Sequence, residues 1–558
     1  MLTSLIMKQV RGFKVGKSPR SNEIFQVPIE SLNKQGAGIC TIEWDTIQKQ
    51  IEPTKLVVRG ALPGETVRVR VVSVFSKGGS GIHTVRLVVF GRRENLIRPR
   101  TDKEPWRSSL EEDLLPPGHQ ESPDYEPFDC PHFDRRHDEQ SCRGCSVPHL
   151  NYKRQIIEKT KLLKKSLSGA LDQSILSELK VEPRSQIKRF SNTHEVFAFS
   201  NRPLGTPVWG HLSWKDPLPG ERREKHFVAT PECRLVSKSA QAVLKRMSEL
   251  IAVAHESDAS LFAVHSEILN RGYLKSAVIE TSKNKNDENQ LLVSIFTSPS
   301  PPDKFKAILK SDIADRLMAE FPLLKGVNLI SDNETLCLSG SPTIPDFVPS
   351  VGKELFILSG RSNHQVDSEV KSRLMHALME SLADLGPNDR IMEITYHRSA
   401  SYLTNLLADV SSRVESHSES DIQLMLEGVN PAKIDSLAIP SMQASDANHS
   451  LEENMTNIVS AAVISFPVSA GKSEIKGVTS KEFRHWLGKV VKPHRVVILT
   501  EHFDGLRKDI GHLKLLGYEI KAIKAVDAKP GVMDKIATIV VLQRKPRYQQ
   551  LIREQLIE

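Results

Sequence analysis

The sequence predicts a multidomain α/β chain, with a small β-barrel first, an α+β centre next, and alternating strands and helices last. Three observations lead there. At 558 residues, 39% hydrophobic and 26% charged, the chain has length for roughly two to four separate cores. Short alternating runs punctuated by Gly and Pro fill residues 24–100, as in a small barrel. Beyond residue 350, short apolar runs recur between helical stretches, as in a doubly wound sheet.

Charge and cysteine content narrow the function classes. The net charge is +8 and the isoelectric point is about 9.0, which suits a polyanionic partner such as RNA. No apolar run approaches the length of a membrane span, so no membrane partner is expected. Six cysteines in so long a chain do not build a disulfide scaffold, and they point to a reducing compartment. Residues 1–22 carry Lys8, Arg11, Lys14, Lys17 and Arg20, several serines, and no acid before Glu23. That is the composition of an organellar import signal, with a mitochondrial destination expected; the other reading is a basic arm that touches nucleic acid.

Within residues 24–100, Ile24 to Ile29 reads as a strand and Gly36-Ala-Gly38 as a turn. Ala61-Leu-Pro-Gly-Glu65 is a tight turn of the kind Gly and Pro enforce. It leads into Thr66-Val-Arg-Val-Arg-Val71, whose alternation places Arg68 and Arg70 on the outer face of a half-buried strand. Arg92 and Arg93, with Arg98 and Arg100, add positive charge at the exit. An exposed basic face on an OB-like barrel suits phosphate tracking, and a merely solvated strand face is the alternative. Residues 101–128, rich in Pro, Asp and Glu, read as a flexible acidic linker.

The expected central domain, 129–345, opens on the most informative stretch. Three of the six cysteines, Cys130, Cys142 and Cys145, fall together, and the last two form a C-x-x-C pair. Thiolates at that spacing can reach one metal centre, with a fourth ligand from farther along, for which Cys233 is the candidate. The plain alternative is a set of ordinary loop thiols. Tyr152 to Leu167 predicts an amphipathic helix on Ile156, Ile157, Thr160, Leu163 and Ser166. Glu195-Val-Phe-Ala-Phe and Lys225-His-Phe-Val-Ala read as strands, and Ser237 to Ile251 as a helix. Residues 272–280 and 291–296 form a hairpin pattern with a polar tip, and 323–330 another strand.

Residues 350–546 read as a Rossmann-like domain, followed by a tail over 547–558. Val370, Leu374, Leu378 and Leu382 mark a helix. Strands are expected at Ile391–Ile394, Ala461–Phe466, Val496–Leu499, Ile520–Ile523 and Ile536–Leu542, and a polar loop at Ser441–Asn457.

Two motifs carry a resemblance. The G-x-G turn and Ala61-Leu-Pro-Gly-Glu65 ahead of an alternating Val/Arg strand look like a TRAM domain, an RNA-binding barrel. Cys130-Pro-His-Phe followed by Cys142-Arg-Gly-Cys145-Ser-Val-Pro-His-Leu-Asn-Tyr152 resembles the iron–sulfur segment of the bacterial-type RNA 5-methyluridine methyltransferases. The likeness runs on, more weakly, to about residue 545. It implies a class I methyltransferase domain at the C-terminus and a structural 4Fe–4S cluster on Cys130, Cys142, Cys145 and Cys233. The loop from Cys130 to Cys142 is longer than the family's, which costs little loop-closure entropy. Zinc is the alternative metal, with His132, His137 or His149 as a possible ligand.

The chemistry of that family makes demands on residues. A cysteine thiolate attacks C6 of a flipped uracil, C5 takes the methyl of S-adenosylmethionine, and a carboxylate removes the C5 proton. The family's glycine-rich first-strand motif falls on Met392-Glu-Ile-Thr-Tyr-His397-Arg-Ser399, keeping Glu393 but putting His397 and Ser399 where the glycines stand. Its Phe-x-Gln-x-Asn falls on Phe356-Ile-Leu358-Ser-Gly360, and its Asp-Pro on Phe466-Pro467. Its nucleophile motif falls on Leu499-Thr-Glu501-His-Phe, with Leu506 and Asp509 kept, so Glu501 takes the place of the thiol. Its general-base motif falls on Lys535-Ile-Ala537-Thr538, and Ala537 takes no proton.

The reading that follows is a pseudoenzyme: a non-catalytic RNA-binding protein on a methyltransferase scaffold, with S-adenosylmethionine not bound. Ribosomal RNA is the expected partner, with ribosome assembly proteins beside it and transfer RNA second. The alternative is an active S-adenosylmethionine-dependent RNA methyltransferase with a rebuilt pocket, using Glu393 and Glu419.

Overall fold

The computed structural model describes residues 13–15, 24–45, 51–58, 60–77, 86–93, 122–128, 130–133, 142, 144–185, 194–198, 207–215, 224–230, 232–266, 271–298, 300–331, 334–358, 368–395, 403–418, 459–465, 481–500 and 503–545. The polar loop expected at Ser441–Asn457 and the tail at 547–558 lie outside them. Contacts divide the chain into two compact units. One comprises Met1–Glu158, Val208–Arg234 and Pro530–Asp534; the other comprises Lys159–Pro207, Leu235–Lys529 and Lys535–Glu558. The expected central domain, 129–345, is therefore shared between them. Among the described residues no helix is long and apolar enough to cross a membrane.

In the first unit, seven strands form one mixed sheet in the order Phe13–Val15, Gly38–Asp45, Ile51–Val58, Arg86–Arg93, Thr66–Lys77, Ile24–Pro28, with Ser31–Leu32 beside Gly38–Asp45. Its core is Val27, Ile29, Cys40, Leu56, Val58, Ala61, Val67 and Val69, all buried. Both expected turns are present. Asn33 Oδ1 accepts from the backbone N–H of Gln35 and Ala37, each at 2.9 Å, and Gly36 takes φ +75°. Glu65, fully buried, accepts from Leu62 N–H at 2.9 Å across the second turn, where Gly64 has φ +85°.

Two structured segments fall within the stretches read as leader and linker. The strand Phe13–Val15 lies inside the stretch read as a leader, pairing in parallel with Ile42–Trp44. The last residues of the expected linker are built onto the unit: Ser122 Oγ donates to Pro63 O at 2.7 Å, and Tyr125 bridges Leu150. Their hydrogen-bonding side chains give this end of the linker fixed partners; residues 101–121 lie outside the described ones. The unit also holds the hairpin of Gly210–Lys215 and Glu224–Ala229.

In the second unit, His194–Ala198, Leu274–Lys283, Asn289–Thr297, Leu324–Ser331 and Glu334–Gly340 lie side by side in that order. The expected hairpin is the second and third of these, and the crossover to the parallel fourth strand runs through short helices over residues 303–320. The helix Lys238–Ser257 begins where Ser237 Oγ accepts from Ala240 N–H at 3.3 Å.

A further sheet of the same unit has the order Arg413–Ser418, Arg390–Thr395, Val459–Ser465, Arg495–Thr500, Ile536–Arg544, Tyr518–Asp527. The first four are parallel, and Ile536–Arg544 runs against both of its neighbours. All five strands expected from apolar runs are here. Buried on both faces, such strands read as continuous apolar segments. Val370, Leu374, Leu378 and Leu382 of the helix Ser368–Leu382 pack on Ile391, Ala461, Val463, Val497 and Leu499. Each such side chain contributes about 1.5–3 kcal/mol on burial. An unforeseen strand, Val181–Glu182, adds to the Tyr518–Asp527 edge.

Candidate functional site

Three stretches of the first unit meet around His132. Its carbonyl accepts from Cys142 N–H at 2.8 Å, and its ring Nε2 accepts from Glu232 N–H at 3.4 Å. The segments bearing Cys130, Cys142 and Cys233 are thus neighbours, and Cys145 follows in the same loop. Burial lowers the His132 pKa below its ordinary value, against the opposing pull of the Glu232 carboxylate, which favours the neutral, accepting ring. Cys142 and Cys233 are buried, Cys130 and Cys145 half-buried, and none of the four is in a disulfide.

The donor chemistry of four thiols suits an iron–sulfur cluster or zinc, and Gly144 N–H already points at Cys142 Sγ at 3.4 Å, a contact that favours thiolate. As the side chains stand, however, no three Cys, His, Asp or Glu among the described residues converge as a metal cage. Of the alternative ligands, His149 is a buried ring packed between Tyr125 and Phe133, with centroids at 6.2 and 5.2 Å. His137 lies outside the described residues.

The segment after Cys145 is tightly held. Ser146 and Val147 both donate their N–H to Gly531 O at 2.9 Å, and Met533 N–H donates to Ser146 Oγ at 2.9 Å. Gln155 closes the knot, accepting from Gly531 N–H at 2.7 Å and donating to Leu150 O at 2.6 Å. Gly36 packs against the same segment: a Cβ there would stand 2.7 Å from Ser146 Cβ. This corrects the expected face of the helix Tyr152–Leu167. Gln155, Lys159, Leu163 and Leu167 are buried, while Ile157 is 41% exposed, because hydrogen-bonding partners claim the side that apolar periodicity assigned to isoleucines.

In the second unit, the positions matched to chemistry are spread over the C-terminal sheet and the elements beside it. Glu393 is fully buried in the strand Arg390–Thr395, between Ser416 and Val463 of the adjoining strands. Leu358 ends the strand Lys353–Leu358 and pairs with Thr343. Ala537 is fully buried, opposite Val526, within the same apolar cluster as Leu374, Leu378 and Ile539. Asp509, kept from the nucleophile motif, is buried and accepts from Arg484 Nη1 at 2.8 Å. Gly360, His397, Ser399, Glu419, Phe466 and Glu501 lie outside the described residues.

Buried charge pairs carry no apolar signal, Lys159 with Asp527 among them. Lys159 Nζ, fully buried, pairs with the equally buried Asp527 and donates to the carbonyl of Lys529 at 2.8 Å. It pins the end of the strand Tyr518–Asp527, whose partner Ile536–Arg544 begins one residue before Ala537. A Gln and a Lys four residues apart on one helix face, Gln155 and Lys159, were the only signal available.

The barrel arginines divide by register. Val67 and Val69 are core residues, so positions 68 and 70 fall on the opposite face, and position 92 pairs with 70. Position 93 pairs with Val69.

Comparison with known proteins accords with this geometry. The chain is 22% identical over 543 residues to an uncharacterized RNA methyltransferase of Halalkalibacterium halodurans, covering 94% of this chain and 98% of the relative. It is 22% identical over 527 residues to an uncharacterized RNA methyltransferase of Bacillus cereus, covering 91% and 94%. The solved tRNA (uracil-54, C5)-methyltransferase of Pyrococcus abyssi, in complex with S-adenosyl-L-homocysteine, superposes with a TM-score of 0.50 at 14% identity. That match covers 93% of this chain and all of the other. The chain is similar to RNA methyltransferases. No known family pattern matches it. In methyltransferase terms, the strand order is that of a class I sheet with its reversed strand, Ile536–Arg544, in place.

Proposed function

We propose that this chain is an RNA-binding protein on a uracil-C5 methyltransferase scaffold that no longer carries out that family's chemistry. The observation that carries the reading is Ala537. It occupies the position matched to the general base, inside an apolar cluster, and its methyl group can neither accept nor donate a proton. The replacement of the thiol by Glu501 and of the glycines by His397 and Ser399 supports the same reading from sequence. Losing one reactive group costs an enzyme orders of magnitude in rate, and here several are replaced together.

The basic N-terminus and the likeness to RNA-modifying relatives favour ribosomal RNA in mitochondria as the setting, with a role in ribosome assembly. Cys130, Cys142, Cys145 and Cys233 would hold a structural 4Fe–4S cluster, with zinc as the alternative. Such a group would supply cross-linking of three chain segments and no reaction step. The competing reading, a working methyltransferase with a rebuilt pocket, draws on the names of the relatives and on buried Glu393.

Ultraviolet crosslinking of the tagged protein in cells, followed by sequencing of the attached RNA, tests the partner. Reads concentrated on organellar ribosomal RNA are expected. Reads confined to transfer RNA, or none above background, would contradict the assembly role. Iron and acid-labile sulfide assays on protein purified without oxygen test the cluster, and zinc alone would reassign the site.

A further inference from the structure

The second unit carries a basic notch remote in sequence from the cysteines and from the barrel arginines. One side is the helix Phe503–Leu515, where Arg507, Gly511 and Lys514 fall on a single face. A Cβ placed on Gly511 would meet nothing within 4 Å, so the helix backbone is open between the two cations. The other side is the turn after the helix Tyr152–Leu167. Gly169, at φ +85°, lies against Arg507: a Cβ there would come within 3.2 Å of the guanidinium. Lys514 Nζ reaches the far end of that turn, donating to Ala170 O at 3.3 Å and pairing with Asp172 at 3.0 Å. Arg507 and Lys514, about 10 Å apart along the helix axis, therefore bracket the turn. Lys508, Lys161 and Lys165 are exposed on the same two helices. Among the described residues, neither Arg507 nor Lys165 has an ion pair.

Arg507 and Lys165 are exposed and without an ion pair among the described residues, Lys514 is held by Asp172, and the open backbone at Gly511 leaves room for an anion to lie along the helix. The cations are spread too widely for one phosphate. We propose that this notch holds the phosphodiester backbone of RNA, with Arg507, Lys514 and Lys165 on phosphates and Gly511 admitting the strand to the helix. The proposal rests on the RNA-binding reading above and adds a contact surface to it. A positively charged track of this kind binds without reading sequence.

The test is fluorescence anisotropy of the full-length chain with a fluorescein-labelled oligouridylate of about 20 nucleotides, titrated across salt concentrations. Arg507→Gln with Lys165→Gln is expected to weaken binding roughly 20-fold near 0.15 M salt and to lower the log–log salt slope by about 1.4. Arg507→Lys, which keeps the charge, should restore most of its share. Gly511→Glu should also weaken binding, while replacing glycine by a better helix former, so a lost fold would not explain the result. Thermal unfolding followed by circular dichroism verifies that. Wild-type binding with unchanged variants would overturn the notch and leave the RNA-binding reading standing. No binding by the wild type would overturn both. An acidic protein lost from the same variants, with RNA affinity unchanged, would overturn the assignment to RNA.

Discussion

The cysteine segment and the C-terminal sheet are held together by different things. Around Cys142 and Cys145 side chains and backbone tie segments together: His132 accepts from Cys142 and Glu232, and Ser146, Gln155 and Gly531 are joined through hydrogen bonds. In the sheet, strand order and apolar packing hold the elements, and Ala537 is buried among apolar neighbours. The contrast teaches where a fold tolerates loss. Alanine at 537 sits among buried apolar neighbours at no evident cost, whereas each member of the hydrogen-bonded knot leaves several partners behind if removed.

The largest effect expected in the sheet comes from Lys159. Lys159→Met strands the buried carboxylate of Asp527 and should cost about 3–5 kcal/mol, read from urea denaturation. Replacing both members by apolar residues should recover most of that loss. A wild-type midpoint for the single variant would mean that the pair is not what holds this strand end.

Next comes the cysteine side. Gly36→Ala puts a Cβ 2.7 Å from Ser146 Cβ at φ +75°, so it should destabilise by about 1–3 kcal/mol. At Gly531 the nearest atom to a new Cβ is 3.5 Å away, so Gly531→Ala should cost less, from backbone strain alone. Equal losses in thermal unfolding would show that crowding against the cysteine segment is not the limiting feature.

The smallest effect lies outside both regions. Asp258 accepts from the Ser260 hydroxyl and pairs with Lys304 at 2.9 Å, and these hold its pKa down to about 2. A depressed carboxylate stabilises the fold above its unfolded value, near 4, and the gain disappears as pH falls through about 2. Asp258→Asn should therefore lower stability slightly above pH 4 and leave it unchanged near pH 2, flattening the acid limb between those values. A change confined to low pH would contradict this.

Much of the fold was legible in the sequence, for identifiable reasons. The sheet strands around Ile391, Val463, Val497 and Val540 announce themselves because burial on both faces makes them apolar throughout. The helix Tyr152–Leu167 was found at its observed limits, yet its buried side was misassigned. Periodicity weighs Ile157 above Gln155 and Lys159, and it cannot see the carbonyls that receive those polar groups. The two-residue strand Val181–Glu182 is too short to carry any pattern. Of the site, the four thiols and Ala537 were legible as residue types in motifs. The Gly531 knot was not, since most of its bonds are made by backbone.

The central claim is that binding outlived chemistry, and calorimetric titration with S-adenosylmethionine tests it most directly. The sample should be folded, purified without oxygen, and assayed for iron. The account predicts no heat of binding at cofactor concentrations that saturate an active methyltransferase. Clear saturable binding, followed by methyl transfer to RNA, would contradict it.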